Sequence, residues 1–412
     1  MSGAEVINFG CRLNINEAEI IRRNTENLEN TVILNTCAVT NEAVRQARQT
    51  IRRIKREKPD VRIIVTGCAA QTESERFLEM PEVNLILGNA EKFNPENYQI
   101  TNERIKITDI QELKETAGHL VQGFNANTRA FLQIQNGCDH RCTFCIIPYG
   151  RGPSRSIAAG QIVEQIRDLV KVGYREVVLT GVDLTDYGSD LPGKPRLGNL
   201  VRRILKLVPE LERLRISSLD SAEADEDLLI AFAEDSRLMP HVHLSLQSGD
   251  NLILKRMKRR HNAEQANKFV QELRKARPDI VLGADFIAGF PTETDEMFEN
   301  TCAHVEELNI AFLHVFPYSS RPNTPAAKMP QISGEIIRKR AQRLRKIGQK
   351  QFNKLMQAEI GKTRNILIEK DGNGRSEHYV PVKFSQKIQA GQIVQAKLQE
   401  VKTSYMVGVL AP

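Results

Sequence analysis

The sequence has 412 residues, 41% hydrophobic and 26% charged, which is enough for two or three domains with proper cores. No run approaches the roughly eighteen apolar residues of a transmembrane helix, and no secretory signal is visible, so we expect a cytosolic protein. The 58 Lys and Arg against 51 Asp and Glu permit nucleic-acid binding. Seven cysteines in such a chain favour metal or redox chemistry over a disulfide scaffold.

Residues 1–90 alternate between short apolar strands and helical stretches. We predict strands at EVINFG, TVILNT, VRIIVTG and NLILGN, with helices at about 14–27, 42–58 and 72–79. This alternation predicts βαβ units in an α/β, doubly wound parallel sheet. Residues 91–125 lose the rhythm, and we interpret them as a linker around one short strand, ERIKI.

From Arg129 the alternation resumes, with strands predicted at RAFLQIQ, EVVLTG, RLRISS, HVHLSLQ, VLGADFIAGF and AFLHVFPYS. Six strands predict a partial (β/α)6 barrel, since a full barrel needs eight. A long helix is predicted at 333–357, and the last stretch, with RNILIEK, HYVPVKF, IVQAKLQEV and SYMVGVL, predicts a small all-β barrel. The predicted domains are 1–115, 124–355 and 356–412.

Three cysteines each stand directly after a predicted strand and before a helix. Cys11, Cys37 and Cys68 are separated by 26 and 31 residues, the length of a βαβ unit. Because the carboxyl ends of parallel strands share one edge, the three should converge there. Each would lie near a helix N-terminus, whose dipole lowers a thiol pKa. For each cysteine singly, burial as a small hydrophobic residue is the alternative, and we assign that structural role to Cys302.

A second triad lies in GCDHRCTFCIIPYGRG, residues 137–152, where Cys138, Cys142 and Cys145 follow the first strand of the second domain. A structural zinc site needs a fourth ligand. His140 lies inside the loop, but the sequence has no second Cys-x-x-Cys pair. An iron–sulfur cluster on three thiolates would keep one iron open for a cofactor. A zinc knuckle is the alternative.

The spacing C-x3-C-x2-C, with Phe144 before the last cysteine, resembles the signature of radical S-adenosylmethionine enzymes. With the upstream triad and the terminal β module, the whole chain resembles the methylthiotransferases. Matching stretches include GCRLN, NTCAVTNEA, LTGVDLTDYG, HLSLQSGDNLILKRMKR, DFIAGFPTETDE and FPYSSRPNTPA. The first two look most like the bacterial branch that acts on threonylcarbamoyladenosine in tRNA. SSLDSAE departs from the family, which more often has Glu-Pro after SSL.

The resemblance implies two [4Fe–4S] clusters and S-adenosylmethionine as cofactors. Cys138, Cys142 and Cys145 would hold the cluster that splits S-adenosylmethionine, and Cys11, Cys37 and Cys68 the cluster that carries the sulfur. No side chain is assigned as catalytic, because the adenine C2–H is unactivated and the hard chemistry belongs to the cofactors. The residues implied near S-adenosylmethionine are Gly181, Asp183, Ser217, Ser218, Gln247 and Gly289, each of which could instead be an ordinary strand-end residue. Arg151 and Arg155 could meet a carboxylate or phosphate, or face solvent.

Three basic runs, RQARQTIRRIKREK, LKRMKRRH and EIIRKRAQRLRKIGQKQFNK, suggest a clustered positive surface for phosphates, with solvated faces as the alternative. The terminal module resembles a TRAM domain, an RNA-binding barrel. Its aromatic residues Tyr379, Phe384 and Tyr405 could stack on bases or pack its core, and we expect packing for two of them.

The expected function is therefore insertion of a methylthio group at C2 of N6-threonylcarbamoyladenosine at position 37 of tRNA, next to the anticodon. The expected partners are a tRNA anticodon stem-loop, S-adenosylmethionine, and electron and sulfur donors that the sequence does not identify. We expect a cytoplasmic monomer with no membrane partner. The same reaction on isopentenyladenosine, or on an aspartate of a ribosomal protein, is an alternative. An alternative from another class is a non-catalytic, metal-containing RNA-binding protein.

Overall fold

The computed structural model describes residues 3–100, 102–113, 128–222, 225–370 and 372–411. They form two compact units. The first unit holds the described residues of 1–121 together with 135–157 and 319–328, and the second holds those of 122–134, 158–318 and 329–412. The domain boundaries given above stay a prediction, because a compact unit can contain more than one domain.

A parallel five-stranded sheet forms the centre of the first unit, with its strands in chain order. The strands are β1 (Glu5–Asn8), β2 (Thr31–Thr36), β3 (Arg62–Gly67), β4 (Leu85–Leu87) and β5 (Ile105–Lys106). β2 is buried along its whole length, as expected for a parallel strand that is covered on both faces. β5 lies within the predicted ERIKI, and residues 101 and 114–125 of the predicted linker lie outside the described residues.

Helices cover both faces of this sheet. They are α1 (Arg12–Asn24), α2 (Asn41–Glu57), α3 (Cys68–Thr72) and α4 (Ser74–Leu78). Ile21 of α1 packs with Ile33 on one face, and Ile51 of α2 packs with Val32 and Leu34 on the other. Successive strand residues point to opposite faces, so one apolar run supplies both cores. The single helix predicted at 72–79 is instead two short helices that meet at Glu73.

The second cysteine loop belongs to the first unit. β7 (Gln135–Asn136) and β8 (Arg155–Ser156) pair as a short antiparallel ribbon that closes its base, and α5 (Ile147–Arg151) follows the cysteines. The strand predicted at RAFLQIQ is therefore shorter than expected, and it ends at Gln133. The reason is local, since Gln135 and Asn136 pair with β8.

The second unit contains the predicted partial (β/α)6 barrel. Its strands are β6 (Arg129–Gln133), β9 (Glu176–Thr180), β10 (Arg213–Ile216), β11 (Ser218–Leu219), β12 (His241–Gln247), β13 (Val281–Ala288) and β14 (Phe312–Pro317). They form two parallel sheets, β10-β9-β6 and β11-β12-β13-β14, and only Ser217 separates β10 from β11. The accompanying helices are α6 (Ala159–Lys171), α7 (Leu197–Leu207), α8 (Glu226–Glu234), α9 (Asn251–Arg256), α10 (Ala263–Ala276) and α11 (Asp295–Glu307).

The long helix and the small all-β module also lie where the sequence predicts them. α12 (Gly334–Glu359) leads into a closed five-stranded barrel of order β15-β16-β17-β19-β18. Its strands are β15 (Thr363–Lys370), β16 (Asn373–Arg375), β17 (Pro381–Lys383), β18 (Ile393–Val401) and β19 (Met406–Leu410). Met356 of α12 packs into the barrel's core. Of the helices that the structure describes, none combines the length and the apolar character needed to cross a membrane.

The β module packs against the amino-terminal ends of the partial barrel's strands. The ring of Tyr379 stacks on His241 with 5.0 Å between ring centroids. The Arg375 guanidinium lies 4.3 Å from the centroid of the Tyr379 ring. Arg215 of β10 donates to the Glu377 carbonyl at 3.3 Å and pairs with Glu176 at 3.1 Å. Since this end of the barrel is covered by protein, the carboxyl ends of the strands remain for ligands.

Tyr379→Ala should destabilise the protein by about 2–4 kcal/mol, because it removes a large aromatic ring and the stacking interactions that this ring makes with its neighbours. Tyr405→Ala is the matched control, since that ring lies 4.2 Å from the Lys383 ammonium and its loss should cost less than about 1 kcal/mol. Urea unfolding followed by circular dichroism measures both. Equal losses in the two variants would mean that Tyr379 does not fasten the module.

Candidate metal centre

The first cysteine triad lies at the carboxyl edge of the five-stranded sheet. Cys11 precedes α1, Cys37 follows β2 directly, and Cys68 opens α3 directly after β3. β1, β2 and β3 are parallel neighbours, in register up to the pair Thr36–Gly67. The strand order of this sheet never reverses, so the position of the triad is fixed only by the shared carboxyl edge of the strands. The spacing of the three cysteines predicts this common edge.

Two glycines allow the loops of this edge to approach closely. A Cβ at Gly10 would lie 2.7 Å from the Cys37 Sγ, which is closer than a Cβ atom can approach a non-bonded atom. Gly67 has a φ of +95°, and a Cβ there would lie 2.4 Å from the Thr36 carbonyl oxygen. Any side chain at either position would push the cysteine-bearing loops apart, and the positive φ of Gly67 adds a further penalty for other residues.

The Cys37 thiol is not activated in the way that we expected. Burial, followed by the nearby Cys68 and Cys11, raises the pKa of Cys37 to about 12. The expectation that a helix dipole lowers its pKa is therefore wrong for Cys37, because burial and cysteine–cysteine repulsion outweigh it. A thiolate at this position needs a positively charged partner.

The second triad is held in a tight loop. Cys142 is buried, whereas Cys138 and Cys145 are half-buried. The Cys138 N–H donates to the Gly152 carbonyl at 3.0 Å. Gly137 has a φ of +74°, and a Cβ there would lie 1.8 Å from the Pro153 carbonyl oxygen, so the residue before the first cysteine has to be glycine.

A buried ion-pair network joins the two cysteine-bearing segments of the first unit. Arg151, at the end of α5, donates to the Glu17 carboxylate of α1 at 2.7 Å and to Asn14 at 2.8 Å. Lys92 approaches the other Glu17 oxygen at 2.7 Å and donates to Asn89 at 2.7 Å. The side chains of Glu17, Arg151 and Lys92 are at most 2% exposed. Arg151 thus meets a carboxylate, which excludes the alternative that it faces solvent.

This network supplies positive charge beside the first triad. Burial would raise the pKa of Glu17, but the charges of Arg151 and Lys92 lower it to about 2. Burial lowers the pKa of Lys92, and the charge of Glu17 works against this shift. When Lys92 holds its proton, two cations surround one carboxylate, which leaves one excess positive charge. Asn89, which bonds Lys92, also donates to the Cys68 Sγ at 3.5 Å. Converging thiols beside an excess positive charge fit an anionic iron–sulfur cluster.

Sequence analysis missed Glu17, Lys92 and Asn89. A signal for Glu17 was present, because it stands four residues after Leu13 and four before Ile21, within the apolar stripe of α1. An acid on such a stripe has to be paired. Lys92 gave no such signal, since it lies in a 3-10 helix, Glu91–Phe93, where no periodicity operates.

The residues expected near S-adenosylmethionine lie at carboxyl ends of strands in the second unit. Gly181 follows β9, Ser217 separates β10 from β11, Ser218 opens β11, Gln247 ends β12, and Gly289 follows β13. Gln247 and Gly289 have positive φ, at 68° and 76°. Asp183 is already paired with Arg260 at 2.8 Å. Their roles stay predictions, and Gly289 also has a packing reason, because a Cβ there would lie 2.6 Å from Ile337.

The departure from the family at SSLDSAE has a structural counterpart. Asp220 is buried and accepts from Arg259 at 2.6 Å and contacts His261 at 3.1 Å. Burial would raise the pKa of Asp220. The hydrogen bond with His261 and the charge of Arg259 nevertheless hold this pKa well below its usual range. Asp220 therefore anchors much of the basic run LKRMKRRH.

Half of the eight cations of α12 are paired with acids. Arg340 pairs with Glu293 and Asp295, Arg343 with Glu299, Lys339 with Glu335, and Lys350 with Glu306. Most of these acids belong to α11 or to the residues just before it, so three of the four paired cations fasten α12 to the partial barrel.

Another polar cluster was not predicted. His243, Asp285 and His314 share one face of neighbouring strands β12, β13 and β14, and their ligand atoms lie within 4.8 Å of one another. The Asp285 Oδ1 lies 2.8 Å from the His243 Nε2 and 3.1 Å from the His314 Nδ1. Only His314 of the three is exposed, so the cluster presents one imidazole edge to solvent.

Comparisons with known proteins agree with this organisation. The sequence matches the model of the radical SAM superfamily over residues 132–305 and that of the uncharacterised protein family UPF0004 over residues 4–88. It is 52% identical to the threonylcarbamoyladenosine tRNA methylthiotransferase MtaB of Rickettsia prowazekii, over 98% of this chain and 97% of the relative. The MtaB protein of Aquifex aeolicus is 32% identical, over 94% and 97%. A tRNA-2-methylthio-N(6)-dimethylallyladenosine synthase of Cereibacter sphaeroides is 34% identical, over 95% and 94%.

Glu17→Gln should destabilise the protein by about 3–5 kcal/mol at pH 7, because Arg151 and Lys92 remain buried without a counter-charge. The pKa of Glu17 in the folded state is lowered to about 2, so its contribution is complete above about pH 4.5 and disappears as the pH falls towards 2. The difference between wild type and variant should therefore shrink over that range. Urea midpoints measured against pH test this.

The control for this measurement is Glu42→Gln, which removes an exposed carboxylate paired with Arg45 and should cost less than about 1 kcal/mol. If Glu17→Gln were as mild as Glu42→Gln, the buried network would not stabilise the first unit.

Proposed function

The chain belongs to the methylthiotransferase family of radical S-adenosylmethionine enzymes, and on that basis we propose that it inserts a methylthio group at C2 of N6-threonylcarbamoyladenosine in tRNA. The 52% identity to a relative of that name, over nearly the whole of both chains, supports this substrate over dimethylallyladenosine, where the relatives reach 34% or 35%. We place the modified base at position 37, next to the anticodon.

One structural observation carries the proposal. Both cysteine triads lie in the first unit, and a buried Arg151–Glu17 ion pair joins the segments that bear them. A non-catalytic zinc protein would need a fourth protein ligand at each site. Two triads, each one ligand short of a closed site, are the arrangement required when each metal centre has to bind something besides protein.

Membership of the radical SAM superfamily implies S-adenosylmethionine and a [4Fe–4S] cluster, for which Cys138, Cys142 and Cys145 are the proposed ligands. A second cluster on Cys11, Cys37 and Cys68 is our proposal. Bound together, these cofactors supply the radical and the sulfur for attack at an unactivated carbon. The protein's own contribution is to hold the two loops in a fixed relation, to supply positive charge through Arg151 and Lys92, and to keep water from the buried thiols.

The carboxyl-end residues of the partial barrel are the proposed contacts of S-adenosylmethionine. They are Gly181, Asp183, Ser217, Ser218, Gln247 and Gly289. Their common position at one end of the barrel supports this role, because ligands of (β/α) folds bind at the carboxyl ends of strands. Asp183, already paired with Arg260, would act together with that arginine.

The remaining partners follow from the same proposal. The terminal barrel is proposed to be a TRAM-type RNA-binding module, although Tyr379 and Phe384 pack within the protein, which leaves Tyr405 as the aromatic candidate for stacking. The enzyme is proposed to act as a cytoplasmic monomer, and it requires an electron donor and a sulfur donor.

Anaerobically reconstituted wild-type protein should hold about eight irons and eight sulfides per chain. Cys37→Ala and Cys142→Ala should each reduce this to about four, since each removes one ligand of one triad. Cys302→Ala, a buried cysteine in α11 outside both triads, should leave the content unchanged. Zinc without sulfide in the wild type would favour the non-catalytic alternative.

Deleting the gene should abolish the 2-methylthio form of N6-threonylcarbamoyladenosine in cellular tRNA while the unmodified precursor accumulates. Mass spectrometry of tRNA nucleosides measures both. Complementation with wild type or with Cys302→Ala should restore the product, and complementation with Cys37→Ala should not. Loss of 2-methylthio-isopentenyladenosine instead would assign the chain to the other tRNA branch.

A further inference from the structure

One of the three basic runs differs from the others in how its cations are paired. α2 carries six Lys and Arg against two Glu, and its apolar residues Val44, Ala47, Ile51 and Ile54 form the buried stripe. The basic residues therefore lie mainly on the opposite, solvent-facing side. Thr40 caps the helix by accepting from the Ala43 N–H at 3.2 Å, so the helix is locally well specified.

Four arginines of α2 have no carboxylate partner among the residues that the structure describes, and three of them, Arg52, Arg53 and Arg56, are exposed. Of the other cations of α2, Arg45 pairs with Glu42, and Lys55 donates to the Val61 carbonyl. In α12, by contrast, acids hold four of the eight cations.

These arginines line a surface groove together with Gln46, Gln49, Thr50, Phe9 and one acid, Glu82. Phe9 is half-buried and stands two residues before Cys11, which is exposed. From Gln46 to Arg56, the first and last residues of α2 that line the groove, the helix rises about 15 Å, which is long enough to contact several phosphates of a nucleic-acid backbone.

We propose that this α2 groove binds the phosphate backbone of the RNA substrate and delivers a nucleotide to the first triad. The inference rests on the proposed function. Unpaired arginines bind phosphate oxygens, glutamine amides donate to phosphates and sugars, and an aromatic ring at the end of the groove offers a stacking face for a splayed base. All of these features line the same groove, whose residue Phe9 stands two positions before Cys11.

The same argument counts against the paired cations of α12, which are Lys339, Arg340, Arg343 and Lys350. A cation that is already paired with a carboxylate gains less from a phosphate, because the acid has to be displaced or left beside the phosphate. The other four cations of α12 are exposed and have no carboxylate partner among the described residues, so the preference for α2 rests on its groove and not on the number of cations.

The triple substitution Arg52→Gln, Arg53→Gln and Arg56→Gln tests the proposal. Glutamine keeps a good helix former at exposed positions, so folding should be retained. The control is Lys339→Gln, Arg343→Gln and Lys350→Gln on α12, which removes the same number of charges from paired cations. Anisotropy with labelled, C2-unmodified tRNA carrying threonylcarbamoyladenosine gives the Kd of reconstituted protein at several salt concentrations.

We expect the α2 variant to bind tRNA about tenfold or more weakly at low salt. The slope of log affinity against log salt should fall by about 2–3, as expected for three lost phosphate contacts. The α12 variant should stay within about twofold of wild type. Iron, sulfide and uncoupled cleavage of S-adenosylmethionine should be unchanged in both variants, which shows that the centres are intact. Arg→Lys at the same three positions should restore most of the salt slope.

Two results would contradict the proposal in different ways. If wild type binds tRNA and the α2 variant binds it equally well, or if the α12 variant loses as much, the groove does not bind the RNA while the proposed function stands. If wild type binds no tRNA under conditions where both clusters are present, the proposed function is wrong and the groove loses its ligand with it.

Discussion

The first unit depends on the burial of one carboxylate between two cations. Glu17 of α1 contacts Arg151 of the second cysteine loop and Lys92 of the segment after β4. Three charged groups in the interior are costly unless they satisfy one another, and here each also has an amide partner. The network therefore holds the two cysteine-bearing segments in a fixed relation, which is what the proposed pair of metal centres requires.

In the second unit, the β module covers one end of the partial barrel. It packs on the amino-terminal ends of the strands through Tyr379, His241 and Arg215. Glu176, at the start of β9, neutralises Arg215 there. Burial would raise the pKa of Glu176, but Arg215 and Arg129 lower it to about 2. The module thus has a structural role within the second unit in addition to any RNA contact.

The sequence predicts the parts of this structure that depend on local pattern. Strand and helix alternation located the sheets, and the position of Cys11, Cys37 and Cys68 after successive strands predicted their common edge. It could not predict partners that are distant in the chain. Glu17 and Arg151 are 134 residues apart, and only the fold brings them together. The same limit explains why α12 looked like the most basic surface, since its partners Glu299 and Glu306 lie on another helix.

The pKa argument for the first triad failed for a related reason. Proximity to a helix start can be read from the sequence, whereas the burial that outweighs it for Cys37 cannot.

The extent of burial also distinguishes the three thiols of the first triad, since Cys11 is exposed and Cys37 and Cys68 are buried. In protein stripped of iron, an alkylating reagent would accordingly modify Cys11 well before Cys37, whose thiol is both shielded and almost wholly protonated at neutral pH. Accidental damage to the apoprotein would then be concentrated at Cys11, the one exposed thiol among the proposed ligands of the first triad.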